Sequence, residues 1–228
     1  MIYVMSDLHG CYEKYSKMLT LIDLKAEDTL YILGDIVDRG PDGIKILLEL
    51  KQKKNIVALR GNHDHKSGIM LKRLMQSEGS PGRKQYDKQL AFWLADGGGP
   101  TRDAFLALPD EEKREVIAYL RIMPFYKMIL INGQPYFLSH TVPEKGAMPR
   151  NPELCTGRDL VWGEPEYGKE YYKDIILVTG HTPTVLIDKN SMGKIWKGNN
   201  HIAVDCGAVF GNPLGCICLD TMEEFYVD

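Results

Sequence analysis

The chain has 228 residues, 44 % of them hydrophobic and 26 % charged, a balance that fits a folded globular protein and excludes disorder as its main state. Lys and Arg number 28 against 31 Asp and Glu, a net charge of −3, so a surface that tracks nucleic acid by charge alone is excluded. No run approaches the ~20 apolar residues of a membrane span, and five scattered cysteines without a Cys-x-x-Cys pair read as free thiols in a reducing compartment.

The opening run Ile2 to Met5 is apolar and meets Asp7 at once; it is too short for a signal peptide and lacks a basic flank. It reads as a first strand, and the protein is expected to be cytoplasmic. Tyr12, Tyr15, Leu19 and Ile22 then recur at helical spacing. Thr29 to Leu33 reads as a second strand, Ile44, Leu47 and Leu48 as a second amphipathic helix, and Ile56 to Leu59 as a third strand. This β-α-β-α-β order predicts a parallel sheet with crossover helices, and in such sheets ligands bind beyond the carboxyl ends of the strands.

From about Lys66 to Met123 the pattern is helical, with Asp110 placed to cap one helix, and this stretch is expected to be an insertion within a single domain spanning 1–228. Strand signals return at Met128 to Ile131 and Tyr136 to Leu138, joined by an Asn132-Gly133 hairpin turn. Further strands are expected at Ile175 to Val178, Ile202 to Val204, Gly215 to Leu219 and Phe225 to Val227. The fold class read from this order is α/β, with two packed sheets and helices outside.

Polar residues gather where these strands stop. Asp7 and His9 follow the first strand, Asp35 and Asp38 the second, and Asn62, His63 and Asp64 the third; His140 and His181 follow two later ones. A lone histidine after a strand is ordinarily structural, but strand ends on one edge of a sheet converge in space. Converging carboxylates repel, and a cation removes that cost. Imidazole, carboxylate and carboxamide donors suit Mn²⁺ first, with Fe or Zn as alternatives, and are too nitrogen-rich for Ca²⁺. The set is large enough for two ions about 3.5–4 Å apart that share a carboxylate. Arg39 and Arg60 sit in the same turns, and a guanidinium fork matches phosphate oxygens.

Asp7-Leu8-His9-Gly10, Gly34-Asp35-Ile36-Val37-Asp38-Arg39-Gly40, Gly61-Asn62-His63-Asp64, Ser139-His140 and Gly180-His181 resemble, in order, the motif series of the calcineurin-like metallophosphoesterases. The likeness is greatest to their phosphoprotein-phosphatase branch, and it extends to Trp93-Leu94, Gly97-Gly98 and Val204-Asp205-Cys206-Gly207. The resemblance implies a four-layer sandwich of two mixed sheets flanked by helices. It implies that Asp7, His9 and Asp35 hold one divalent transition-metal ion, with Asp35 bridging to a second ion held by Asn62, His140 and His181. His63 becomes the general acid, oriented by Asp38, while Arg39, Arg60 and Asn62 steady the phosphate. Hydrolysis then proceeds by in-line attack of a hydroxide activated by the two metals, without a phosphoenzyme.

Three departures stand out. His140 is followed by Thr141-Val142-Pro143 where the family usually continues with Ala-Gly, which changes the loop more than the ligand. The chain reads Trp162-Gly163-Glu164 where related phosphatases carry a phosphate-clamping arginine, with Arg158 and Arg102 as candidate substitutes. Asp64 stands where the branch commonly has Glu. The leading expectation is a phosphatase acting on phosphoserine or phosphothreonine in proteins, with a phosphorylated protein or a small phosphoester as substrate and neither nucleic acid nor membrane as partner. A symmetrical dinucleoside tetraphosphatase is the alternative enzyme, and a metal-free binding module on the same fold is the alternative of another class.

Overall fold

The computed structural model describes residues 1–75 and 83–228, with side chains of the second stretch described from 87 onward. Among these residues the strands form two five-stranded sheets. The first contains β1 (Ile2–Met5), β2 (Thr29–Ile32), β3 (Ile56–Ala58), β9 (Leu214–Cys218) and β10 (Glu224–Val227), in the order β10-β9-β1-β2-β3. Here β1, β2 and β3 are parallel, and β9 and β10 run antiparallel beside them. The second contains β4 (Tyr126–Ile131), β5 (Gln134–Ser139), β6 (Ile176–Thr179), β7 (Trp196–Gly198) and β8 (His201–Ala203), in the order β4-β5-β6-β8-β7. Its centre, β5-β6-β8, is parallel and its margins are antiparallel. The two mixed sheets flanked by helices are the α/β class expected. β7 escaped the sequence reading because Trp196-Lys197-Gly198 offers only three residues and no alternation.

Side-chain alternation along each strand decides which layer a residue joins. Val4, Leu33, Leu138, Val178, Ile202 and Ile217 fill the space between the sheets. Tyr3, Met5, Leu30 and Ile32 face the other way, into helices α1 (Tyr12–Leu21), α2 (Gly43–Leu50), α3 (Asn62–Leu74) and α6 (Asp110–Ile122). On the far face of the second sheet, Phe137 and Leu177 are covered by Val142 and Leu160, the latter from the short helix α7 (Asp159–Trp162). That outer layer is thin, one turn of helix and the loops around it.

The helical stretch expected at 66–123 contains the rest of α3, then α4 (Arg83–Trp93), a π-turn at Leu94–Gly98, α5 (Gly99–Leu106) and α6; residues 76–82 within it lie outside the described residues. Asp110 is the first residue of α6 rather than its cap, a place where its charge still suits the positive end of the helix dipole. Asn132 and Gly133 both take left-handed backbone, at φ +50° and +82°, as the predicted two-residue hairpin turn requires. All five cysteines are free thiols. No described helix is long and apolar enough to cross a membrane.

Candidate active site

The turns after β1, β2 and β3 are tied together before any side chain is considered. His9 N–H donates to the Asp35 carbonyl at 2.8 Å, Gly10 N–H to Ile36 at 2.9 Å, and Gly40 N–H back to His9 at 3.0 Å. These turns, with the one after β6, hold Asp7, His9, Asp35, Asp38, Arg39 and His181 in left-handed backbone, at φ between +41° and +69°. Such geometry costs about 1–2 kcal/mol for a residue with a Cβ, so six of the ten expected site residues are held in place by the surrounding structure against local preference. Gly61 is needed for a steric reason, because a Cβ there would run into the Asp35 carboxylate.

Asp64, at the third position of α3, arranges the floor. Its Oδ2 accepts from Asp35 N–H at 2.8 Å and from Gly61 N–H at 3.0 Å, and its Oδ1 from Ile36 N–H at 3.0 Å. Burial pushes this carboxyl up to about 6 against the pull of those N–H groups. The acid three residues after Gly61 is a helix-start signal that a closer reading of the sequence could have found.

On this floor Asp35, His140 and His181 gather in one group and His9, Asp35 and His63 in another, each with its ligand-type atoms within 4.8 Å of one another, so that Asp35 is common to both. In one, His140 Nε2 lies 2.9 Å from Asn62 Oδ1 and 3.1 Å from His181 Nδ1, and the last two atoms are 3.1 Å apart. Asp35 Oδ1 is 3.5 Å from His140 Nε2. In the other, Asp35 Oδ2 is 3.5 Å from His9 Nε2, so the two oxygens of one carboxylate face two different histidines. Asp7 Oδ2 is anchored by His181 N–H at 2.9 Å, and Asp7 lies close enough to Asp35 for each charge to disfavour the other.

These donors fit a cation. His140 donates its Nδ1–H to the Leu33 carbonyl at 2.8 Å, leaving a lone pair on Nε2, and burial lowers the ring to about 3, so it stays neutral. Its Nε2 and the Asn62 oxygen are then two acceptors 2.9 Å apart with no proton between them. Ligands about 2.1 Å from an octahedral ion lie about 3 Å from one another, the spacing found here. His9 is fixed in the same way, donating Nδ1–H to Val37 at 2.9 Å, and burial with Arg39 holds its pKa well below the ordinary value. Burial and the neighbouring Asp7 raise Asp35 well above the usual carboxylate range, and burial raises Asp7. Paired buried carboxylates and neutral imidazoles are what a metal pair would stabilise.

His63 stands beside this centre. Its Nδ1–H donates to Asp38 Oδ2 at 2.9 Å, and its Nε2 accepts from Arg39 Nη2 at 3.0 Å; the other Arg39 amino group donates to His9 Nε2. Asp38 also accepts from Ser67 Oγ at 3.0 Å and from Trp93 Nε1–H at 2.9 Å, contacts that sequence spacing alone did not show. Asp205, buried near Asp7, likewise went unassigned.

Arg60 is not brought in. Its guanidinium donates to the Arg121 carbonyl at 2.6 Å and lies 4.7 Å over the Phe125 ring, so a place in the turn after β3 did not bring its head to the ligands. Arg102 pairs with exposed Asp103, and Arg158 is exposed at the start of α7. Neither shows a contact with the ligand groups that would stand in for an arginine at Glu164.

Comparison with known proteins places this geometry in a family. A family model described as calcineurin-like phosphoesterase matches residues 1–211. The symmetrical bis(5'-nucleosyl)-tetraphosphatase of Wigglesworthia glossinidia brevipalpis is 44 % identical over 64 residues, 27 % of this chain and 24 % of that protein. The symmetrical enzyme of Proteus mirabilis is 33 % identical over 132 residues, 54 % of this chain and 45 % of its own. The matched stretches thus span about a quarter to a half of these relatives. The asymmetrical bis(5'-nucleosyl)-tetraphosphatase PrpE of Oceanobacillus iheyensis is 26 % identical over 93 % of this chain and 86 % of its own length. A crystal structure provisionally named a diadenosine tetraphosphatase superposes with a TM-score of 0.67 at 18 % identity, covering 99 % of this chain and 92 % of its own, which shows a shared fold.

The expectation of a protein serine/threonine phosphatase is overturned by these relatives, which carry tetraphosphatase names. The physical reason for the error is that motifs at strand ends specify attack on phosphorus, whereas the leaving group is chosen by surfaces that the motifs do not include. With its family motifs in order and its ligands converged on one sheet edge, the chain belongs to the calcineurin-like phosphoesterases, metallophosphoesterase hydrolases that use a pair of divalent metal ions.

Proposed function

We propose that this chain hydrolyses dinucleoside tetraphosphates. The observation that carries the reading is the alignment with the Oceanobacillus tetraphosphatase across nearly all of both chains. We assign Asp7, His9 and Asp35 to one ion and Asp35, Asn62, His140 and His181 to the other, with Mn²⁺ as the first choice for this nitrogen and oxygen donor set. When bound, such a pair supplies a water of lowered pKa and neutralises phosphoryl charge.

The chain's own residues do the rest. Arg39, whose guanidinium already spans His9 and His63, offers a planar fork to non-bridging phosphate oxygens. His63 donates a proton from Nε2 to the departing oxygen while Asp38 holds its Nδ1–H and steadies the positive ring. Trp93 and Ser67 keep that carboxylate aimed at the histidine.

The test is a hydrolysis assay on chelator-stripped protein reloaded with Mn²⁺, Fe²⁺ or Zn²⁺. Diadenosine tetraphosphate is expected to be cleaved with a kcat/KM well above that for 4-nitrophenyl phosphate. Chromatography of the products reads the cleavage position: ADP alone for symmetrical attack, AMP with ATP for asymmetrical. Equal or lower efficiency on the tetraphosphate with every metal would refute the proposal.

A further inference from the structure

Two phenylalanines at the site are largely open to solvent, Phe92 at 66 % and Phe210 at 62 %. A single exposed phenylalanine is ordinary on a protein surface. What sets these two apart is that each carries on its ring a cation that reaches His63 directly or through one carboxylate. The Arg39 guanidinium lies 5.4 Å from the Phe210 ring centre, and the Lys66 ammonium lies 4.9 Å from that of Phe92. The two cations are linked through His63. Arg39 reaches His63 Nε2 at 3.0 Å, and Asp96, which accepts from Lys66, has its Oδ2 3.9 Å from the same nitrogen. The contacts therefore run Phe210, Arg39, His63, Asp96, Lys66, Phe92, with the proton donor in the middle and an aromatic ring at each end.

Both rings are held in place rather than trailing from loose chain. Phe210 ends a single 3₁₀ turn, Ala208–Phe210, bracketed by Gly207 and Gly211 at φ +81° and +91°. The Lys14 ammonium ties down that turn by donating to the carbonyls of Ala208 and Asn212 at 3.2 and 2.6 Å. Phe92 precedes Trp93, which is fully buried and donates to Asp38. A preorganised ring loses little freedom on stacking, and every nucleobase offers it a flat face. Trp162 is also exposed, but its ring neighbour is His65 rather than a cation.

We infer that Phe210 and Phe92 are two nucleobase platforms, one on either side of Arg39 and His63, so that a substrate with a base at each end of its polyphosphate lies across the site and is held at both ends. This rests on the tetraphosphatase reading and adds to it the residues that select a nucleoside over a bare phosphoester.

The experiment compares metal-loaded wild type with Phe210→Leu, Phe92→Leu, their double variant and the corresponding Trp variants. Leucine keeps apolar volume without a ring, and the high exposure of both sites makes misfolding easy to exclude by thermal melting. Two readouts are taken: KM and kcat for diadenosine tetraphosphate, and inhibition of 4-nitrophenyl phosphate hydrolysis by ADP and by pyrophosphate. Each Leu variant is expected to raise the tetraphosphate KM about tenfold, more than it changes kcat. The Phe92→Leu/Phe210→Leu double variant should weaken inhibition by ADP about tenfold more than inhibition by pyrophosphate. Each single variant should do so only about twofold, because ADP has one base and keeps the other platform, and the Trp variants should retain the ADP preference. Equal weakening of both inhibitors would mean that the rings only support Arg39 and Lys66, and would overturn the inference. So would a loss confined to one ring, or no loss at either. Failure of the parent reading looks different, because wild type itself would then show no preference for the tetraphosphate.

Discussion

The two ligand groups that share Asp35 are built differently. Around His140 the donors are locked: Asn62, His140 and His181 stand within 3.1 Å of one another, His140 by its bond to Leu33 and His181 through its backbone bond to Asp7. Around His9 the imidazole is fixed by Val37 and keeps the same 3.5 Å from Asp35 that His140 keeps, but here a guanidinium reaches the ring. One half is a rigid cradle shaped for an ion. The other half is spanned by Arg39, an exposed positive group whose guanidinium also bonds to His63 and lies over the Phe210 ring. One half thus offers lone pairs to a cation alone, and the other adds a positive group that can meet the phosphate.

Removing the shared member should affect both halves. Asp35→Asn is expected to lower occupancy at both metal positions and activity by more than about 10⁴-fold, read by metal analysis and turnover together. Two fully occupied ions in that variant would break the idea that one carboxylate serves both groups. His63→Asn should leave metal content near that of wild type and lower kcat by roughly 10²–10⁴-fold on an alkyl phosphate. Its effect on a tetraphosphate should be smaller, because a phosphate leaving group needs less help from an acid than an alkoxide does. An equal loss on both substrates would remove His63 from the role of proton donor. Arg39→Ala is expected to lower kcat/KM about 10²–10³-fold, with little rescue by Arg39→Lys, since an ammonium lacks the planar fork. Full rescue by lysine would show that only its charge matters.

The smallest effect sharpens the contrast by looking away from the metals. His201 is as buried as His140 and is likewise lowered to about 3 by burial, but its Nε2 meets only the Thr179 hydroxyl at 2.8 Å. A histidine kept neutral in the fold, with an ordinary value near 6.5 when unfolded, contributes stability that is complete above pH 6.5. That contribution is lost as pH falls from about 6.5 toward 3, because the unfolded chain takes up the proton first. Denaturation of the His201→Asn variant between pH 7 and pH 5 should therefore show a slope shallower by about 1 kcal/mol per pH unit. Added metal should instead steepen the same limb, because binding displaces protons from the raised Asp7 and Asp35 carboxyls, and should leave the His201 share unchanged.

The strands other than β7 were legible because each is a short apolar run stopped by polar residues, and the same stops mark where Asp7, His9, Asp35, Asn62, His140 and His181 come together. Proximity in sequence to a strand end proved a good guide for short side chains, whose heads cannot travel far from the backbone. It failed for Arg60, whose long side chain reaches Arg121 and Phe125 instead. Contacts between distant segments were out of reach: nothing local in Trp93 says that it will bond to Asp38, or in Asp96 that it will lie beside His63. The leaving-group preference was invisible for the same reason, since it depends on surfaces assembled from several loops.

The left-handed turns have a further consequence for what this edge of the protein becomes without its ions. Asp7 is a buried carboxyl beside two others, Asp35 and Asp205, whose ionisation burial opposes, and it sits on a backbone that an L-residue seldom adopts. Asparagine tolerates that backbone and can still accept from His181 N–H, but brings no charge. Chelated Asp7→Asn protein should therefore melt at a higher temperature than chelated wild type, although it binds metal worse. Hydrolytic competence and the durability of the empty fold pull this position in opposite directions, and a lower melting point in the variant would show that they do not.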